Sequence, residues 1–375
     1  MQSTPSAEID IHIKVQKALE GTRFAASSLE KLSGGSVNWI YVAQLTKPLE
    51  DGTFEVLVKH AEPYMASKPD FPLPSLRCTV EVESLKILSG KETSSSSDSY
   101  NFLTRTPKLY YFHAEGLNQL IELQPKGIHL KDYAIQNFRS PTPQSLKPQC
   151  HALGRALGRW LRDFTEWSSQ QTQHRELVAQ NEFAQTVRHM VNYQWLQKRI
   201  EEYPSALGDV KNILEEVENT AATELKYQDK LQVIHGDFWT GNIVLPNDPM
   251  ERSHEISLFV VDWEMSHLGH PSVDFGEMIA EMYALWLYKS IDAGLWMIEG
   301  FIEGYEEVSD EFAFRTAVHV GTHLVCVTTD DPAWGAENYE RVVAVGGDII
   351  AHAWVRDSSW FEKGDLACLF GKKRS

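Results

Sequence analysis

Apolar positions alternate with polar ones in the first third of the chain and recur at helical spacing after it. From Phe54 to Val58, Phe54, Val56 and Val58 lie on one face and Glu55, Leu57 and Lys59 on the other. That is the two-residue period of a half-buried strand. Trp39 to Leu45 is β-branched and aromatic, and the turn-forming Lys47-Pro48-Leu49-Glu50-Asp51-Gly52 between the two runs predicts a hairpin. A helix is expected from Arg77 to Leu88. Lys91 to Tyr100, with four consecutive serines at Ser94 to Ser97, reads as a solvated loop. Leu109 to Phe112 and Gln119 to Leu123 predict a second hairpin. The strand pattern stops at Gln124-Pro125-Lys126-Gly127, which divides the chain into a β-rich lobe, 1–123, and a larger lobe, 124–375. In the second part Leu153, Ala156, Leu157, Trp160, Leu161 and Phe164 form an amphipathic helical stripe. Two short β-branched runs, Leu231 to Ile234 and Leu258 to Val261, break the helical pattern, and each ends at a polar cluster. The expected class is α+β: a small antiparallel β lobe with one helix, and a larger, mainly helical lobe.

Composition narrows the function. The chain has 375 residues, with 35 Lys plus Arg against 52 Asp plus Glu, a net charge of −17. Proteins that coat nucleic acid present a basic face to phosphates, so a nucleic-acid partner is not expected. No apolar run reaches the roughly 18–20 residues of a membrane span, and Met1 to Asp10 does not resemble a signal peptide. Cys78, Cys150, Cys326 and Cys368 are too scattered for a zinc site or a disulfide framework. Reduced thiols in a cytoplasmic protein are the expectation.

The chemistry concentrates in Val233-Ile234-His235-Gly236-Asp237-Phe238-Trp239-Thr240-Gly241-Asn242-Ile243-Val244. An acid and an amide five positions apart, on a loop between apolar strands, can face one cavity. Asp262 follows twenty positions after Asn242, directly behind Phe259-Val260-Val261. Phosphoryl transfer needs magnesium, oxygen ligands to hold it, and a carboxylate near the acceptor hydroxyl. Asp237, Asn242 and Asp262 supply that set.

These motifs resemble the aminoglycoside phosphotransferase and choline kinase family, a branch of the protein-kinase-like fold. Its signature is a His-Gly-Asp with an Asn five residues after the Asp, then an apolar strand ending in Asp. His235-Gly236-Asp237 with Asn242, and Val261-Asp262-Trp263-Glu264, match it. The resemblance runs from about Leu32 to about Trp354. It is nearest to the subgroup containing 5-methylthioribose kinase and the fungal 4-hydroxytryptamine kinase, on Leu57-Val58-Lys59-His60-Ala61-Glu62-Pro63-Tyr64-Met65 and Trp334-Gly335. It implies ATP and magnesium, with Asp237 as catalytic base and Asn242 and Asp262 as metal ligands. By the same resemblance Lys59 meets the phosphates, and the turn Leu32-Ser33-Gly34-Gly35-Ser36-Val37-Asn38 covers them through Gly34, Gly35, Ser36 and Asn38. The strap Ile121-Glu122-Leu123-Gln124 holds the adenine through its backbone, at Glu122 and Leu123.

A Lys–Glu pair is also expected. Glu81 shares a helix face with Leu85 and Leu88, where a carboxylate is costly unless paired, and Lys59 is its expected partner. Glu83, which points the other way, is the alternative. Asp274, in Ser272-Val273-Asp274-Phe275-Gly276, matches a position that braces the catalytic loop. No Arg precedes the catalytic Asp, and there is no Asp-Phe-Gly or Ala-Pro-Glu, so a protein substrate is not expected.

The expected acceptor is a small molecule carrying a hydroxyl: an amine, an amino alcohol or a thiosugar. From Asp262 to Glu311 there are twelve acids against one base, Lys289. An acidic cleft would concentrate a cationic acceptor, although solvated helix faces would show the same pattern. Trp239, Glu264 and Trp334, the last in an expected loop after Asp330-Asp331-Pro332, are the candidate acceptor contacts, and bulky Phe238 and Trp239 would narrow the acceptor pocket. Tyr283, Trp286 and Trp296 read as core. His319 and His323, four apart on an apolar helix, read as buried or capping residues. The rival to a kinase is a catalytically inactive nucleotide-binding relative.

Overall fold

The computed structural model describes residues 5–32, 36–306 and 308–371. Helix α1 (Pro5–Leu19) leads into β1 (Ala26–Lys31), β2 (Trp39–Leu45) and β3 (Glu55–His60). A short ribbon, β4 (Tyr64–Met65) and β5 (Lys68–Pro72), precedes α2 (Leu76–Ile87). Then come β6 (Glu92–Ser97), β7 (Tyr100–Arg105), β8 (Leu109–His113) and β9 (Asn118–Glu122). One antiparallel sheet has the order β1-β2-β3-β9-β8. Its register pairs Tyr41 with Val58 and Ala43 with Val56. Alternate residues therefore meet on one face, where they join Ile11, Val15 and Leu19 of α1 in a single core. Phe54, expected on that face, precedes the strand and is exposed.

The chain continues through β10 (Gly127–His129), α3 (Leu130–Asn137), α4 (Lys147–Ser168), α5 (Thr172–Val178), α6 (Glu182–His189), a π-helical turn at Met190–Gln194, α7 (Trp195–Glu202), α8 (Pro204–Leu207) and α9 (Lys211–Glu224). Strands β11 (Gln232–Ile234), β12 (Ile243–Pro246), β13 (Glu255–Val260) and β14 (His267–Gly269) follow. Helices α10 (Ser272–Lys289), α11 (Ala293–Tyr305), α12 (Asp310–Cys326), α13 (Tyr339–Trp354) and α14 (Ser358–Phe361) complete it. Among the described residues no helix is long and apolar enough to cross a membrane.

Two compact units emerge. One holds the residues up to Lys91 with Thr106–Gly127, and the other Glu92–Arg105 with the residues from Ile128 onward. The boundary read at residue 123 thus falls at Gly127, and an earlier segment changes sides. That segment contains the serine run, and it corrects the expectation of a solvated loop. β6 is a strand paired antiparallel with β7, and β7 lies parallel to β13 in a second sheet, β10-β12-β13-β7-β6. Thr93 and Ser95 are buried while Glu92, Ser94 and Ser96 are exposed. The period of two is present but written in small polar side chains, so hydropathy does not reveal it. The Thr93 hydroxyl donates to Asp163 of α4 at 2.9 Å.

Close packing of α4 on α11 positions the long helix that underlies the candidate site. At Gly158 a β-carbon would run into the Phe301 carbonyl, and at Gly300 into that of His151. Neither backbone can yield without parting the helices. Gly158→Ala is therefore expected to cost about 1–3 kcal/mol by overpacking. A urea midpoint equal to the parent's would contradict it.

Candidate active site

β11 is pinned to β14 by the Ile234–His267 register, and the chain then turns through His235–Asn242 into β12. Gly236 has φ +79°, and a β-carbon there would strike the Met265 carbonyl and the His267 ring. Only glycine fits the position. Both carboxylate oxygens of Asp274, on the first turn of α10, accept loop N–H groups, from His235 at 2.7 Å and Gly236 at 2.9 Å. Asp274 braces the loop as expected. His235 Nε2–H donates to the Val261 carbonyl at 3.0 Å while Nδ1 accepts the Asp237 N–H at 3.3 Å. One neutral tautomer satisfies both contacts.

Aromatic residues fill the space beneath. Phe238 is fully buried and stacks on Trp160 of α4 at 5.5 Å, and Phe164 meets Trp263 edge-on at 5.2 Å. The stripe on α4 thus supports both polar clusters at once. Phe238 does not narrow an acceptor pocket, because it points into the core.

Asp237 remains partly exposed. Its Oδ1 accepts from Arg188 at 2.9 Å, and its Oδ2 from Asn242 Nδ2 at 2.7 Å and Trp239 Nε1 at 3.2 Å. Asn242 Nδ2 also donates to the Asp237 carbonyl at 2.8 Å. Both its amide hydrogens are used this way, which leaves Oδ1 for a cation. The Ile243–Val260 register and the Val261 N–H to Asn242 O bond at 3.0 Å put Asn242 and Asp262 at the same end of the β12–β13 pair. Asp262 has left-handed backbone angles, φ 67° and ψ 61°, which Asp tolerates better than most residues. The unit therefore brings Asp237, Asn242 and Asp262 to one edge.

In the other unit, Lys59 Nζ pairs with Glu81 at 2.8 Å, and Gln119 Nε2 holds the second Glu81 oxygen at 2.8 Å, all three buried. Glu83 pairs with Lys86 at the surface, so Glu81 is the partner of Lys59. Asn38 is buried and accepts from Arg77 at 2.8 Å, Ser36 is exposed, and Gly34 and Gly35 lie outside the described residues. The Glu122 N–H already donates to the Lys108 carbonyl at 2.8 Å. Any adenine contact on the strap therefore falls to its carbonyl or to Leu123.

Trp334 is not in an open loop. It is fully buried in a short turn, stacked on Tyr288 at 5.3 Å. Lys131 Nζ lies 4.1 Å from its ring centre and 5.6 Å from that of Trp239, and pairs with Asp331. Trp239 is half-buried. Glu264, Asp274, Glu277 and Glu281 are buried, so the acidic run is not merely a solvated face. His319 contacts the Tyr193 hydroxyl at 3.0 Å and His323 meets Glu281 at 2.9 Å, both in the core.

Sequence reading missed Arg188 and Lys131. The signal for Arg188 was its place four residues after Ala184 on the buried face of α6, where an arginine needs a partner.

Burial pushes the carboxyls of Asp274 and Glu277 up to about 7, against the pull of backbone N–H groups and Arg188 respectively. It pushes His174, His267 and His270 down to about 4 and His319 well down. Between about pH 4 and 6.5 an unfolded chain protonates these four imidazoles, which the native chain keeps neutral. The raised carboxyls of Asp274 and Glu277 oppose this in the same window, by at most two protons held in the native chain that the unfolded chain releases. The unfolded state thus binds about two more protons, so stability falls as pH drops, by about 1.4 kcal/mol per pH unit for each. Urea unfolding at pH 6.5 and 5 would show this, and equal or greater stability at pH 5 would contradict it.

Residues 52–312 match the model of the phosphotransferase enzyme family. "Phosphotransferase FrzJ" of Cladobotryum sp is 28% identical over 366 residues, 92% of each chain. A 4-hydroxytryptamine kinase of Psilocybe cyanescens is 26% identical over 332 residues, 86% of each chain. Among solved structures, the GDP complex of wild-type aminoglycoside 2'-phosphotransferase-IIIa superposes with a TM-score of 0.50 at 14% identity, covering 92% of this chain and 99% of that one. That likeness shows the protein-kinase-like α+β fold. With the family match spanning more than half the chain and its motif residues gathered on one loop and one strand end, this chain belongs to the phosphotransferase enzyme family.

Proposed function

We propose that this chain is a small-molecule kinase that transfers the γ-phosphoryl group of ATP, with magnesium, to a hydroxyl of a small cationic acceptor. One observation carries the assignment of the base. A carboxylate offers about four lone-pair sites, and three on Asp237 are taken by Arg188, Asn242 and Trp239. The remaining one is available to an acceptor hydroxyl. Asp237 orients that hydroxyl and receives its proton as the oxygen bonds to phosphorus and the bond to the β-phosphate oxygen breaks, releasing ADP.

Asn242 Oδ1 and the Asp262 carboxylate are hard oxygen donors, the type magnesium takes, so they fit as its ligands. When bound, the ion would supply charge stabilisation at the phosphate oxygens. Lys59, kept extended by Glu81, contacts the phosphates. Gly34, Gly35, Ser36 and Asn38 cover them, and the backbone at Glu122 and Leu123 holds the base. A cationic acceptor is favoured by the substrate in the name of the 26% identical relative. Trp239, whose indole N–H already touches Asp237, is the aromatic group best placed to contact it, while the buried Trp334 can act only through Lys131, which lies against both rings. A screen of amines, amino alcohols and thiosugars with labelled ATP tests the reading. Transfer to a hydroxyl of one of them is expected. No transfer and no ATP hydrolysis by a protein that still binds nucleotide would overturn it in favour of an inactive nucleotide-binding relative.

A further inference from the structure

Asp237 is gripped from one side by Arg188, which reaches it from the last turn of α6. One guanidinium nitrogen donates to Asp237 Oδ1 at 2.9 Å, and the other pairs with Glu277 of α10. The Arg188 side chain is 10% exposed and that of Glu277 only 2%. Arg188 Nε and Glu277 Oε2 are buried with no hydrogen-bond partner among the described residues. As a source of stability this trio is poor. Desolvation offsets most of the attraction between buried charges, and apolar side chains of like volume often do better. The unpartnered Nε and Oε2 add a further cost. What a guanidinium does provide is direction, because its planar fork fixes the carboxylates it binds.

We infer that Arg188 is a positioning residue for the transfer reaction. It clamps Asp237 so that the remaining lone pair faces the acceptor hydroxyl, and Glu277 in turn fixes Arg188 from behind. This rests on Asp237 being the group that receives the hydroxyl proton. The π-helical turn that directly follows α6 is consistent with that role, since such turns are frequent at functional sites.

Two variants separate positioning from folding. R188M/E277M replaces the ion pair with apolar side chains, and R188K keeps the charge without the fork. In crystal structures of the parent and R188M/E277M, the Asp237 carboxylate is expected to leave its present orientation while the loop backbone stays in place. With an acceptor from the screen, R188M/E277M should lose about 100-fold or more in kcat with the KM for ATP nearly unchanged. R188K should lose less than R188M/E277M. A thermal midpoint of R188M/E277M at or above the parent's supports the inference. An unmoved Asp237 carboxylate, a kcat near the parent's, an ATP affinity that falls in step with kcat, or a double variant that unfolds more readily would overturn it. Failure of the kinase reading shows differently, in a parent enzyme that transfers nothing, and the crystallographic comparison then decides the positioning alone.

Discussion

Asp262→Ala is expected to bring phosphoryl transfer down by at least about 1,000-fold and to remove the magnesium dependence of nucleotide binding. Asp262 is half-exposed at the end of β13 and shares that strand end with Asn242. Magnesium demands near-octahedral oxygen coordination and takes few ligands from protein, so one lost carboxylate is not easily replaced. The charge stabilisation at stake is several kcal/mol, and each 1.36 kcal/mol is about tenfold in rate. Alanine adds a lesser penalty, about 1–2 kcal/mol, for entering the left-handed region. Asp262→Asn, which keeps the backbone preference and one oxygen, isolates the metal effect. Calorimetric titration of ATP with and without magnesium reads the result. An Asp262→Ala protein that still turns over would show that Asp262 does not hold the metal.

Asp237→Asn should behave differently. Turnover is expected to fall by about 100- to 10,000-fold, the range for loss of a general base, while magnesium–ATP affinity stays nearly constant. The asparagine oxygen can still accept from Asn242 or Trp239, so the loop keeps its shape, but it cannot take the hydroxyl proton. Arg188 loses one of its two ion-pair partners in this variant, and Glu277 retains it. If nucleotide affinity collapses together with turnover, Asp237 acts by holding the loop.

Much of this was legible in the sequence, for a definite reason. The β2–β3 hairpin, α2, α4 and the β8–β9 pair each carry apolar residues at a period that hydropathy can read. The polar cluster around Asp237 was found because its members lie close along the chain. Lys59 and Glu81 were matched by a different route, from the cost of placing a carboxylate on an apolar face. What escaped was either written in polar letters or fixed by distant partners. The serines of β6 alternate without any hydrophobic contrast. Trp334 looked accessible beside Pro332, yet Tyr288, 46 positions earlier, covers it. Arg188 lies 49 residues before Asp237, with no local pattern to connect them. Glu277 gave no hint of its partner, because helix periodicity says which face is inward but not what waits there.

The serine-rich hairpin also has a consequence for synthesis. Phe102 of β7 lies beside Ile256 of β13, a residue the ribosome adds roughly 150 positions later. At about 5–20 residues per second the hairpin waits about 8–30 s for its neighbour. During that delay the open side of β7 can template pairing with another nascent chain. A ribbon whose other strand is built from serine and threonine stays hydrated and offers little to stick to. The same residues that obscured the strand can thus guard it until translation reaches β13.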